Sequence, residues 1–545
     1  MKAAGALAAF IALALSGWAV ASAANELDVP VDRHGTAFAG SGACARCHPD
    51  HHESWARTHH RRMTQEATET TVLGAFDGRT LDYGGYTARM SHEGGRFVVE
   101  VQTETDLLAR WTVERVVGSR RHQQLLARED DLWVRLPIAW DVEERRFIHM
   151  NGAFLTPDPD GFDGAAPIAA SDYMRHAVRW NDNCVFCHNV GAEPRADGHG
   201  HFDTRVAELG VACESCHGPG AEHVRANTSP VRRYVLHETD RADPSVTSPE
   251  RLARARQTDV CGRCHGQRIT SDVSRYLAHG DPFVPGDALS DTSTPLAIDT
   301  SLHGDPTAFA PRFWNDGTAR LTAYEHQGIL QSRCGVTCGD CHSMHDYADV
   351  RGQLRADVTG DAMCAGACHS ELSTPEASLA HSDHANVACI DCHMPRIVFG
   401  IRTIHRSHRI EVPRPIANAA AERPDACSLC HVGARLEEEL FGGDPIERAV
   451  AAAALGRLDG PDVDRARRIG LLLAAMRDDP YPAVRGIAWT SSRRMLDRPI
   501  DAFSSTSSLA TRTAFVDAIG QRVIEPENLT ALRARADARA IEIGE

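Results

Sequence analysis

Sixteen of the seventeen cysteines fall in eight pairs, and each pair is followed at once by histidine. Seven pairs share one spacing: Cys44, Cys47, His48; Cys184, Cys187, His188; Cys213, Cys216, His217; Cys261, Cys264, His265; Cys338, Cys341, His342; Cys389, Cys392, His393; and Cys427, Cys430, His431. C-x-x-C-H is the attachment signature of a c-type haem. Each thiol adds to one haem vinyl group, and the adjacent imidazole supplies one axial ligand to the iron. A zinc site would also use Cys and His, but would not require His directly after the second Cys in every copy. The eighth pair, Cys364-Ala-Gly-Ala-Cys368-His369, carries one extra residue between its thiols. Its small residues let that extra residue bulge, so it is expected to be an eighth haem site. Cys334 is left over, and two roles are open for it: a free buried thiol, or a ligand or guard at a haem pocket.

An electron-transfer haem wants a second strong ligand, so that the iron stays six-coordinate in both oxidation states. Twenty-nine histidines less eight proximal ones leave a surplus of 21 from which to draw distal ligands. Position in the chain selects His60, His122, His223, His345, His384 and His408. His60 follows the first motif by one or two helical turns. His223 lies beyond the tight Gly218-Pro-Gly turn, which redirects it to a neighbouring haem. His176, His279 and His326 are further candidates, as are the thioethers of Met63 and Met344. Lys2 is the sole lysine, so no haem of a processed chain has a lysine ligand, and Arg is left to pair with haem propionates.

These groups must be positioned by a chain of 545 residues. Met1-Lys2, the apolar run Ala3 to Val20 and the small residues Ala21-Ser-Ala23 read as a secretory signal over 1–23, cleaved near Ala23-Ala24. The alternative is an uncleaved anchor helix. Export places the chain in the periplasm or outside the cell, and no later stretch is apolar enough to span a membrane. The expected organisation is a first haem segment over 24–70, a β-rich insertion over 71–151, a seven-motif haem domain over 152–434 and a helical tail over 435–545. The insertion shows alternation in Gly95-Arg-Phe-Val-Val-Glu-Val101 and Leu132-Trp-Val-Arg-Leu136. The tail, with neither Cys nor His after His431, carries helical stretches, and Asp479-Pro-Tyr-Pro-Ala-Val-Arg485 looks like the opening of a HEAT-type helix. The expected fold class is therefore mainly α, with long irregular haem-wrapping loops, a small antiparallel β insertion and a HEAT-like α-helical tail.

The stretches Trp55 to Gln65, Trp180 to His188, Val206 to Val224, Cys338 to His345, Cys389 to Pro395 and Arg406 to Arg414 resemble a family of multihaem (octahaem) c-type cytochromes. That family is related to multihaem electron carriers and to nitrite- and hydroxylamine-processing cytochromes. With the tail, the resemblance covers most of residues 40–496. It implies a closely packed chain of bis-histidine haems, with His60, His223, His345 and His408 as distal ligands. The departure is Cys364 to His369, where the family has the ordinary spacing.

The expected cofactor is thus about eight covalently attached haems c, and the expected role is electron transfer along them. The alternative is a multihaem oxidoreductase with one open-faced haem acting on a small nitrogen or sulfur compound, with the His369 site or a haem near Cys334 as its centre. The formal charge of −16 suits a basic or haem-bearing redox partner and argues against nucleic acid. The helical tail is a second place for a protein partner.

Overall fold

The computed structural model describes residues 2–29, 31–159, 162, 166–431, 433–458, 464–496 and 502–544. Met1 of the expected signal and the tail residues 459–463, 497–501 and 545 lie outside the described residues.

The largest regular element is an antiparallel sheet of nine strands. They are β1 (Thr64–Glu66), β2 (Asp77–Tyr83), β3 (Tyr86–Glu93), β4 (Arg96–Gln102), β5 (Leu107–Val117), β6 (His122–Glu129), β7 (Leu132–Asp141), β8 (Arg146–His149) and β9 (Val178–Arg179). Strands β2 to β8 form a meander in sequence order, while β1 pairs with β5 and β9 with β7. Two hairpins turn on Gly84-Gly85 and Gly94-Gly95, all four with positive φ, which is the backbone that two-residue hairpin loops require. Ala88, Met90, Val99, Val101, Trp111, Val113, Leu136, Ile138 and Phe147 form the buried core, with β2 curling back towards β8, so the sheet is nearly closed. The chain is 38% helical and 18% strand, which corrects the expectation of a mainly α protein. The physical reason is local. Most helices around the Cys pairs last only four or five residues, because the chain must turn away after each motif, whereas the insertion builds a full-sized sheet.

The tail folds into Ala434–Gly442, Pro445–Leu455, Arg465–Asp478, Pro482–Met495, Leu509–Ile519 and Leu529–Asp537. Asp444 and Glu447 form a reciprocal capping box at the second of these helices, and Pro482 opens the fourth. Their apolar faces share one core with the hairpin Arg396–Gly400/Thr403–Arg406: Ile397, Phe399, Ile446, Val450, Leu472, Val484, Ile487 and Trp489 are all buried in it. The tail is therefore packed onto the Cys-rich region along a continuous apolar face. Two buried ion pairs, Arg320 with Asp444 and Arg485 with Asp158, cross the same boundary. The C-terminal Ile543 pairs with Leu155 in an isolated bridge.

The N-terminal helix Lys2–Glu26 runs through the expected cleavage site, and its end packs on Val235 through Ala23 and Leu27. Leu7–Glu26 is long and apolar enough to cross a membrane; among the described residues no other helix is.

Candidate cofactor sites

At five of the regular motifs the histidine N–H bonds back to the carbonyl of the first cysteine, four residues earlier, over 2.7–3.2 Å: His48 to Cys44, His188 to Cys184, His265 to Cys261, His342 to Cys338 and His431 to Cys427. One helical turn so holds both thiols and the imidazole on a single face. The irregular motif closes the same way with one more residue. His369 N–H reaches the Cys364 carbonyl at 3.0 Å, a five-residue closure. The extra residue is thus absorbed as a π-type bulge, and the first thiol and the histidine keep their relation. None of the seventeen cysteines is in a disulfide.

The motif histidines are not isolated. An imidazole nitrogen sits about 2 Å from a bound metal and about 1.1 Å from its own ring centre, so two imidazoles on opposite sides of one metal have ring centres about 6.3 Å apart. Six of the eight motif histidines face a second imidazole near that spacing. His48 lies 6.4 Å from His223, His217 6.4 Å from His345, and His342 6.5 Å from His408. His393 lies 6.2 Å from His381, His265 6.1 Å from His60, and His431 5.9 Å from His384. The first four pairs are within 18–29° of coplanar, while the last two cross at 69° and 64°. His51 also lies 6.2 Å from His48, but its ring stacks on His345 at 4.3 Å, too close for a metal between them.

The second nitrogen of these rings separates them from other buried histidines. A metal-bound imidazole normally gives its other N–H to a carbonyl or carboxylate, which fixes its tautomer and orientation. Nδ1 is engaged in this way in His217 (Thr247 O, 2.8 Å), His342 (Gly352 O, 3.0 Å), His393 (Glu411 O, 2.8 Å), His60 (Gln353 Oε1, 2.8 Å) and His223 (Asp243 Oδ2, 3.1 Å). His384 Nδ1 contacts the Ser382 carbonyl, and His265 Nδ1 lies 3.7 Å from Glu325 Oε2. Nε2 is left to face the opposing ring. The pattern inverts in His149, His176 and His405, whose Nε2 atoms are engaged by Tyr173 O at 3.0 Å, Thr156 Oγ1 at 3.2 Å and Thr403 Oγ1 at 2.8 Å. His122 belongs with these: it sits on β6, its Nε2 3.5 Å from Asp141 Oδ2. The donor set and its geometry fit covalently held haem at the paired sites.

Of the sequence-selected distal candidates, the structure brings His60, His223, His345, His384 and His408 opposite motif histidines, and places His122 in the sheet. Sequence reasoning passed over His381, which sits eight residues before Cys389 on the helix Pro375–Ser382 and faces His393. Its only signal was the local richness in histidine, shared with His384. His326 is buried beside Asp259, its Nε2 3.6 Å from Oδ1, and packs against Gly262.

Among the described ring contacts, none sets an imidazole opposite His188 or His369. His369 Nδ1 lies 3.4 Å from Glu371 at the surface. His188 is enclosed beside Trp180 and Arg135, and burial first, then the Arg135 charge, lowers its pKa to about 4. Burial also holds His60 down to about 4, which keeps it in the neutral form a metal ligand needs. His265 moves the other way, up to about 9, because the Glu325 carboxylate outweighs burial.

The thiols define neighbours among the motifs. Cys44 is a hydrogen-bond neighbour of Cys213, Cys187 of Cys264, Cys261 of Cys338 and Cys364 of Cys389. Helix Cys213–His217 packs on Ser41–Cys44, Cys338–Cys341 on Arg254–Gly262, and Ala426–Cys430 on Cys389–His393.

No family model matches the chain. Over 209 residues it is 23% identical to the multiheme cytochrome MtrA of Shewanella baltica (strain OS185), a match covering 36% of this chain and 54% of that protein. The chain spans about half the length of that relative. Among solved structures, the crystal structure of the outer cell wall cytochrome OcwA aligns with a TM-score of 0.48 and 18% identity, over 84% of this chain and 100% of that one.

Proposed function

We propose that the protein is an exported multihaem c-type cytochrome that carries electrons along eight covalently held haems. The observation that carries this is the spacing of six motif histidines from a second imidazole, 5.9–6.5 Å between ring centres. The sequence similarity to a multiheme cytochrome supports it. Each bound haem supplies an iron that alternates between the ferric and ferrous states. The chain's residues do the rest. Paired imidazoles hold the coordination number constant, so little rearranges when an electron arrives or leaves. Fixed Nδ1 partners hold each ring in one orientation.

Neighbouring thiols order the sites. Numbering the motifs along the chain, the first adjoins the third, the fourth adjoins the second and fifth, and the sixth adjoins the seventh. Cys216 of the third also senses Cys264 of the fourth, Cys341 of the fifth senses Cys364 of the sixth, and Cys392 of the seventh senses Cys430 of the eighth. The path is one, three, four, five, six, seven, eight, with the second as a branch at the fourth. The N-terminal apolar helix acts as the export signal, and the acidic surface receives a basic or haem-bearing partner.

One observation favours a second reading. His188 is enclosed, faces no imidazole among the described ring contacts, and has a buried Nδ1 without a hydrogen-bond partner. A haem held there has an open face beside Arg135, suited to a small anionic nitrogen or sulfur compound.

Haem counting by mass, with low-temperature electron paramagnetic resonance on the holo-protein, tests both. Eight haems with the six paired sites low-spin are expected. A high-spin signal that shifts with nitrite, hydroxylamine or sulfite moves the conclusion to the oxidoreductase. Fewer than six low-spin haems sinks the proposed wire.

A further inference from the structure

Glu325 opens the helix Glu325–Gln331 and places its carboxylate 3.7 Å from Nδ1 of His265, on the side of the ring away from His60. The neighbouring sites are built differently. His217, His342 and His393 each meet a neutral main-chain carbonyl at Nδ1. The other motif histidine with a carboxylate at Nδ1 is His369, whose partner Glu371 is exposed. On the distal side, His223 meets Asp243, but that carboxylate is itself held by Arg232 at 3.0 Å, by Asn227 and by Ser245. The hydrogen bond recorded to the Glu325 carboxylate besides the His265 contact is from the main-chain N–H of Ala323, at 3.4 Å. His265 also belongs to the fourth motif, the one whose thiols adjoin the second and fifth motifs.

We infer that Glu325 is a positioning residue that holds the His265 imidazole in a proton-donating, imidazolate-like state and so makes the junction site the lowest-potential of the internal sites. An anionic acceptor draws the Nδ1 proton further from the ring than a carbonyl does, which makes Nε2 a stronger donor and favours the higher oxidation state of a metal bound there. A low-potential junction separates the branch at the second motif from the main path. An electron leaves it readily in either direction, and crossing it is the uphill step between the two arms. This rests on the haem assignment proposed above.

The test is spectroelectrochemical titration of the full holo-protein, comparing wild type with Glu325→Gln. Haem number by mass is checked first: fewer than eight in the wild type would defeat the haem assignment itself, independently of Glu325. With haem number equal in both proteins, one haem in eight is expected to titrate at a higher potential in E325Q, with seven unmoved. Its low-spin g-values should also move towards those of neutral imidazole pairs. Superimposable titrations overturn the inference, as does loss of the His265 haem from the variant, which would make Glu325 structural. If E325Q does not accumulate, near-infrared magnetic circular dichroism of the wild type decides. A minority band at higher energy, from one imidazolate-like ligand, supports the inference, and a single neutral bis-imidazole band overturns it.

Discussion

Arg485 is the side chain on which the union of the tail with the rest of the molecule most depends. It is fully buried and donates from Nη1 and Nη2 to Asp158, at 2.8 and 3.0 Å, in a bidentate pair. The same guanidinium donates to the Ser505 carbonyl and the Asp479 carbonyl, each at 2.7 Å. Four bonds thus tie the fourth tail helix to its own N-terminal turn, to the chain after residue 501 and to the segment that leaves the sheet. Arg485→Met keeps most of the apolar stem and removes all four. Breaking a buried pair from one side costs about 3–5 kcal/mol, because the remaining charge is left without compensation. Arg512 Nη1 lies 3.8 Å from Asp158 and takes up part of that charge, so the low end, about 3 kcal/mol, is expected. The assay is guanidinium unfolding of the holo-protein followed by far-ultraviolet circular dichroism, with Asp158→Asn and the double variant completing a cycle. The double variant should be more stable than Arg485→Met alone, since no lone carboxylate remains. A single-variant loss below about 1 kcal/mol, or strict additivity in the cycle, would refute the buried-clamp account and make the tail a loosely attached appendage.

Replacing His60 with Ala removes the ring that faces His265, and one additional haem should turn high-spin in electron paramagnetic resonance; an unchanged spin count would show that His60 ligates nothing. Cys364→Ala with Cys368→Ala should lower the protein mass by one haem, and no change would mean that the five-residue closure at His369 holds none. His149 is buried, with burial first and the nearby His176 next lowering its pKa to about 3. Its unfolded form binds a proton below about pH 6.5 while the folded form stays neutral, so its contribution is complete above pH 6.5 and falls by about 1.4 kcal/mol per unit as the pH drops towards 3. His149→Gln should flatten that limb of the pH–stability curve, and an unaltered slope from pH 6 to 4 would rule the assignment out.

The motifs were legible in the linear chain because covalent attachment demands a local pattern: two thiols and an imidazole on one turn, read directly at Cys44 to His48 and again at each later copy. The irregular copy was legible too, since small residues at 365–367 permit the bulge that the His369 to Cys364 bond now displays. The β insertion announced itself through alternation and Gly-Gly turns. Its dominance did not, because a meander's extent depends on which strands find partners, and β1 and β9 join from outside the alternating stretch. Pairing between imidazoles was the hardest to read. His60 meets His265 across 205 residues and His342 meets His408 across 66, and no local spacing encodes such distances. His381 and His384 lie on one short stretch, yet face different motifs, His393 and His431. His122 had the right residue type, but strand geometry turned it to Asp141. Residue type and local spacing therefore determined which groups can hold a cofactor, because that chemistry closes within one helical turn. Which two histidines share a site, which thiols adjoin, and which imidazole receives a carboxylate were decided only by tertiary packing, because those contacts form between segments the chain brings together from far apart.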